Sequence, residues 1–153
     1  MIFFFSSKDN TIKFWDLVSG ICIRTLAHHL GEVTSVDFSS NGSLLLSSSK
    51  DNSNRLWDIR MQRTLRKLKG HQNTSKNFIT ARFAARGMVV GGSEDGVVYM
   101  WDGETGEIVQ KLRGHRGEVY SCVWSNGQEI FASCGGDWKV MTWWFDENSP
   151  LEI

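Results

Sequence analysis

Residues 45–60 read LLSSSKDNSNRLWDIR, and this stretch decides the fold. Leu44-Leu45-Leu46-Ser47 is a short apolar run that suits a buried strand. Lys50-Asp51-Asn52 supplies turn residues, and Asn54-Arg55-Leu56-Trp57 reads as the next strand. Upstream, Val33-Thr34-Ser35-Val36-Asp37-Phe38 is rich in β-branched and aromatic residues and ends before an Asn41-Gly42 turn signal. Downstream, Arg63-Thr64-Leu65-Arg66-Lys67-Leu68 makes a fourth strand. These strands are called A, B, C and D in chain order. Helical spacing is not sustained anywhere in the chain.

The unit repeats. Asp51 stands six positions before Trp57, and the same interval joins Asp9 to Trp15, Asp95 to Trp101 and Asp137 to Trp143. The four tryptophans are 42, 44 and 42 residues apart. Asp16, Asp58 and Asp102 follow the first three, whereas Trp144 follows the last. His29 and His115 lie 22 residues before their Asp, and His71 lies 24 before, so the third unit holds two extra residues. Gly70-His71 and Gly114-His115 are GH pairs, and His28-His29 takes that place in the second unit.

This period, with registered GH and WD pairs, resembles the WD40-repeat family. The resemblance covers essentially the whole chain. It implies an all-β propeller built of four-stranded antiparallel blades. Strand counting gives B, C and D, then two full sets, then A, B and C, or roughly three and a half blades where closure typically takes about 4–8. The expected boundaries are a partial blade over 1–26, full blades over 27–68 and 69–113, strands A to C over 114–146, and a tail over 147–153. An incomplete propeller is expected, resembling the C-terminal half of a longer one whose missing blades lie elsewhere. Its open end blades are expected to make it associate in isolation.

Composition fits a folded core: 153 residues, 41% hydrophobic and 22% charged, with one Pro, Pro150. Seventeen basic residues balance seventeen acidic ones, which gives no global field for nucleic acid or an anionic membrane. The apolar run Met1–Phe5 is too short for a signal peptide or a membrane span. Cys22, Cys122 and Cys134 are odd in number and lack CxxC spacing, so neither a disulfide framework nor a zinc site is expected. The expected compartment is reducing, cytoplasmic or nuclear, and no cofactor is expected.

Ser47, His29 and Asp51 are the ingredients of a nucleophilic triad. The set recurs as Ser133, His115 and Asp137, and nearly recurs as Gly91, His71 and Asp95. A catalytic set is needed once, a structural set in every blade. The family resemblance implies a hydrogen-bonded tetrad, completed by Trp57, Trp101 or Trp143, that ties the D–A loop to strands B and C. Gly91 lacks the hydroxyl, and Phe5 replaces it beside Asp9 and Trp15, so those two blades are expected to have weaker networks. Trp138, Trp143 and Trp144 are expected to be packing residues. The bases of strand D, among them Arg63, Arg66 and Lys67, are read as guards of an outer sheet edge.

In similar proteins the top-face contacts come from two positions flanking the first strand A hydrophobe and one before the turn Asp. Carried over, these are Glu32, Thr34 and Lys50; Glu118, Tyr120 and Gly136; and Lys8 and Glu94 at the pre-Asp position. The shifted third unit offers Asn77 and Ile79. The lengthened loop from Gly70 to Ile79 is a preferred site for a specific partner. Leu45 to Arg60 also resembles the box, ending in WDxR, of propellers that act as substrate receptors of cullin–RING ubiquitin ligases. In it Asp58 and Arg60 would meet the ligase adaptor, and only Asn54 departs. The expected function is a non-catalytic scaffold for proteins or peptides, with the ligase receptor as the alternative.

Overall fold

A computed structural model describes residues 2–125 and 129–145. The turn expected at Asn126-Gly127 and the tail 147–153 lie outside the described residues. The chain forms four antiparallel sheets, one per repeat. Blade 1 holds β1 (Ile2–Ser6), β2 (Ile12–Asp16) and β3 (Ile21–Leu26). Blade 2 holds β4 (Val33–Phe38), β5 (Leu44–Ser49), β6 (Ser53–Asp58) and β7 (Arg63–Leu68). Blade 3 holds β8 (Ala81–Phe83), β9 (Met88–Gly91), β10 (Val97–Asp102) and β11 (Ile108–Arg113), with a 3-10 turn at Ala85–Gly87. Blade 4 holds β12 (Val119–Trp124), β13 (Ile130–Gly135) and β14 (Val140–Trp144). The result is an all-β propeller that is incomplete among the described residues.

Strand alternation puts one apolar row on each face, and the core lies between blades. Ile12, Phe14 and Leu26 of blade 1 meet Leu45 and Trp57 of blade 2. Leu46, Leu56 and Leu68 meet Val89, Tyr99 and Trp101. Val90, Val98 and Met100 meet Cys122 and Phe131, with Trp143 packed against them. Trp57, Trp101 and Trp143 therefore each face the preceding blade. This explains the period physically: one large apolar group is needed at every blade interface. Trp143 is the packing residue the sequence suggested. Among the described residues Trp138 and Trp144 are exposed, at 98% and 79%.

Close approach also fixes a glycine. A β-carbon on Gly92 would collide with the Val119 carbonyl of the next blade. The turn after each repeat Asp is left-handed, with φ of 67° at Asn10, 56° at Asn52, 78° at Gly96 and 62° at Trp138. Asn and Gly tolerate that conformation, whereas a bulky indole does not.

The basic outer strands do more than guard an edge. Arg24 Nη1 of β3 donates to the Ile59 carbonyl of blade 2 at 2.7 Å. Arg66 Nε of β7 donates to the Glu104 carbonyl of blade 3. Both arginines clamp the C–D corner of the following blade.

Candidate interaction surface and the blade networks

The polar network of blade 2 forms one directed chain. Trp57 Nε1–H donates to Ser47 Oγ at 2.8 Å. Ser47 Oγ bonds His29 Nε2 at 2.7 Å, and His29 Nδ1 bonds Asp51 Oδ2 at 3.0 Å. A neutral imidazole protonated on Nδ1 satisfies every link, with the hydroxyl proton given to Nε2. Asp51 also accepts Leu30 N at 3.1 Å and the Ser53 hydroxyl. Burial lowers the His29 pKa, with the Asp51 bond opposing it. Burial would raise Asp51, but the bonds from His29, Ser53 and Leu30 override it and hold the carboxyl far below its usual range. The proton therefore rests on the imidazole Nδ1 and the carboxylate stays ionised.

Blade 4 repeats this geometry. Trp143 Nε1 donates to Ser133 Oγ at 2.8 Å, Ser133 Oγ bonds His115 Nε2 at 2.8 Å, and His115 Nδ1 bonds Asp137 at 2.9 Å. The His115 bond holds the Asp137 pKa down to about 2. These are Ser–His–Asp relays in topology, but the Ser47 side is closed. Ser47 is 0% exposed, and its oxygen faces the Trp57 indole. No substrate carbonyl can reach a nucleophile in that position.

Blade 3 is built differently. Gly91 leaves no hydroxyl, and neither ring nitrogen of His71 has a hydrogen-bond partner among the described residues. Trp101 Nε1 turns to the Lys69 carbonyl at 2.9 Å. Asp95 accepts the Tyr99 hydroxyl at 2.7 Å instead of a His71 proton. Burial pushes His71 down to about 4, and burial with the Asp95 bond pushes Tyr99 up to about 12. The loop is anchored elsewhere: Gln72 N donates to Ser93 Oγ at 2.9 Å. In blade 1, Asp9 is exposed and bonds Thr11 and Lys13, and Trp15 is half-buried on the open side.

The proposed top-face residues fall into two groups. Glu32 and Lys50 pair at 2.8 Å, with the Lys50 ammonium 5.3 Å from the Phe78 ring centroid. Glu118 and Tyr120 flank Gly136, both close enough to meet a β-carbon placed there. Lys8 is exposed beside blade 1. Others are engaged inside the protein. The Thr34 hydroxyl donates to the Ile79 carbonyl at 2.7 Å. Glu94 accepts Thr74 N at 2.8 Å and Ser75 N at 2.6 Å, so it holds the lengthened loop in shape. Asn77 is half-buried.

Ile79 does not belong to the surface, since it is 1% exposed. Phe78, its neighbour, is 54% exposed and takes the outward place. Strand alternation is reset by the irregular loop, and spacing alone does not reveal the phase. Sequence reasoning therefore missed Phe78, and it missed the exposure of Trp138. Asn or Gly at the other three turns was the available signal for Trp138. At the opposite end of blade 2, Asp58 accepts Met61 N at 2.7 Å, and Arg60 is exposed with no hydrogen bond or ion pair to other described residues.

His28 stacks on Trp57 with ring centroids 5.5 Å apart, so it is a packing group. Burial raises the Cys122 thiol above its usual range, which leaves it inert.

The WD domain, G-beta repeat family matches residues 20–58, 62–102 and 106–143. The chain is 29% identical to periodic tryptophan protein 2 of Arabidopsis thaliana, over 90% of this chain and 15% of that protein. It is 30% identical to autophagy-related protein 16 of the same plant, over 92% of this chain and 28% of the relative. It is 32% identical to the target of rapamycin complex subunit wat1 of Schizosaccharomyces pombe, over 94% of this chain and 45% of the relative. The chain thus spans less than half the length of each of these relatives. Among solved structures, the computationally designed Ika4 protein superposes with a TM-score of 0.79 at 31% identity, covering 95% of this chain and 86% of that one. On the matched repeats, the four sheets and the Trp–Ser–His–Asp networks, this chain belongs to the WD domain, G-beta repeat family.

Proposed function

We propose that this chain is part of a non-catalytic scaffold that binds other proteins or peptides on its top face. The observation that carries this reading is the closure of the Ser–His–Asp relays. Their reactive atoms are locked inside blades, and the same set appears twice. What reaches solvent on the top side is a mixed polar and aromatic surface: Lys50 with Phe78, then Glu118 with Tyr120. Aromatic groups with polar neighbours are the usual anchors of protein interfaces. One relative is named as a subunit of a complex, which agrees with this reading. The test is affinity capture with the chain and with the double variant Phe78→Ala, Tyr120→Ala, each checked for an unchanged melt. Loss of the captured proteins supports the top face, and an unchanged set of partners removes it.

A second reading, substrate receptor of a cullin–RING ligase, is favoured by Arg60. This guanidinium is exposed and unengaged among the described residues, directly after the WD corner. Its planar fork suits a carboxylate or carbonyl of an adaptor. Arg60→Ala should abolish adaptor capture without touching the top face. Adaptor capture that survives the change defeats this reading.

A further inference from the structure

In blades 2 and 4 the residue directly before the repeat Asp lies against the glutamate that precedes strand A. The backbone geometry is shared: Lys50 N donates to the Glu32 carbonyl at 2.9 Å, and Gly136 N to the Glu118 carbonyl at 2.8 Å. The side chains differ. In blade 2 the Lys50 ammonium lies 2.8 Å from the Glu32 carboxylate and 5.3 Å from the centroid of the Phe78 ring. Lys50 holds the Glu32 carboxyl below its usual range, and Lys8 of blade 1 adds to that pull. A carboxylate, an aromatic face and an ammonium form a complete set there.

Blade 4 keeps two of these parts and lacks the third. Gly136 stands in the place of Lys50, and Glu94 of blade 3 stands in the place of Lys8. Glu118 thus loses both cations that serve Glu32, and it has no ion pair among the described residues. A β-carbon on Gly136 would lie 2.7 Å from Glu118 Oε2 and 2.8 Å from Tyr120 Oη. Two oxygens therefore converge on one point beside a bare stretch of backbone, at the range of a hydrogen bond. Neither oxygen bonds another described group. Trp138, two residues after Gly136 in the same turn, adds an exposed aromatic ring. The gap arises inside blades 3 and 4, from a glycine and a glutamate where blades 1 and 2 carry lysines. It does not depend on what adjoins either end of the chain.

We propose that Glu118, Tyr120 and Gly136 form a socket for a lysine side chain of a partner protein. Its ammonium takes the position that Lys50 takes in blade 2. This socket rests on the top-face reading and gives it a specific chemistry, one cationic side chain. An ammonium has three donors and can serve the carboxylate and the phenol oxygen together. The methylene stem passes over Gly136, where no β-carbon stands in its way, and the aromatic rings attract the charge. Lysine is the occupant because the chain already seats one on the matching carboxylate of blade 2.

The probe is the capped peptide Ser-Gly-Lys-Gly-Ser, titrated into the isotope-labelled full chain and followed by NMR. Saturable shifts are expected at Gly136, Tyr120 and the Trp138 indole. Acetylating the peptide lysine removes its charge and should weaken binding at least about tenfold. Glu118→Gln in the protein should do the same. Gly136→Lys should abolish binding by filling the socket from within, since the atoms it meets are the ends of the Glu118 and Tyr120 side chains. The acetylated peptide keeps the test valid if a variant fails to fold. Absence of saturable shifts, equal binding of the acetylated peptide, or shifts centred on Glu32 and Lys50 overturns the proposal. If the socket fails while Phe78→Ala, Tyr120→Ala still strips the captured proteins, the top-face reading stands without it.

Discussion

Blades 2 and 3 share strand order, an Asp-x5-Trp unit and an upstream His, yet they hold their loops by different means. Blade 2 uses one continuous chain from Trp57 through Ser47 and His29 to Asp51. Blade 3 lacks the hydroxyl and splits the chain, with Trp101 on a carbonyl, Asp95 on Tyr99, and His71 buried without a partner. The lesson is that the aromatic packing defines the blade and the polar relay is an addition to it. Tyr99 and Trp101 stack with centroids 5.7 Å apart, and the Trp101 ring lies in the space that Gly91 leaves. Blade 3 is therefore tied by packing and by Glu94, and blade 2 by a buried charge.

The largest effect should come from removing that charge. Asp51→Ala strips partners from His29, Leu30 N and Ser53 at once, and should cost about 3–4 kcal/mol in urea unfolding. Asp95→Ala removes an exposed carboxylate bonded to Tyr99 and Val97 N, and should cost about 1 kcal/mol or less. Equal costs would erase the distinction between the two blades.

Acid should separate them next. Below its ordinary value near 6.5, His71 of the unfolded chain takes a proton that the folded chain refuses until about pH 4. The stability is thus complete above about pH 6.5 and falls as pH drops toward 4, by up to ~3 kcal/mol in total. His71→Leu should flatten that slope substantially. The part that remains belongs to His29, whose pKa is also lowered by burial. The carboxylates Asp51 and Asp137 act lower down, since their contribution is lost only as pH falls through their depressed values.

Exchanging the key small residue probes the same contrast. Ser47→Ala leaves His29 Nε2 and Trp57 Nε1 unpaired in the core and should cost about 2 kcal/mol. Gly91→Ser restores the missing hydroxyl to blade 3 but should not restore the relay. A β-carbon there would sit 3.0 Å from the Ala81 β-carbon and 3.1 Å from the Trp101 ring. A loss of about 1 kcal/mol is expected, read from the same unfolding curves. A gain in stability would show that Trp101 can swing to a Trp57-like position and donate to the new hydroxyl.

Much of this was legible in the chain. Four registered Asp-x5-Trp units mark four sheets: each tight turn has one Asp, and each of the three blade interfaces takes one tryptophan. The broken network of blade 3 was visible as Gly91. What replaced it was not, because Tyr99 reaching Asp95 depends on where the ring lands once Trp101 moves. The Phe78–Ile79 phase was hidden for a related reason. An irregular loop enters β8, and only packing decides which of two adjacent apolar residues turns inward. Arg66 looked like an edge charge, since nothing in sequence marks the carbonyl of Glu104 as its acceptor.

The smallest effect should have the opposite sign. Trp138 holds a left-handed turn at φ 62°, where blades 1 and 2 place Asn10 and Asn52. The indole is 98% exposed, so it gains almost nothing from burial. Trp138→Asn should therefore raise stability by roughly 0.5–1 kcal/mol, seen as a higher melting midpoint. A lower midpoint would mean that the ring stabilises the turn and that the strain is not relieved by the change. Retaining a strained, solvent-exposed tryptophan makes sense where the ring serves as a contact, so the stabilised variant should also bind top-face partners less well. Of the four turns, the fourth alone presents a large aromatic group to solvent, and blade 4 differs from blade 2 in that respect while sharing its polar network.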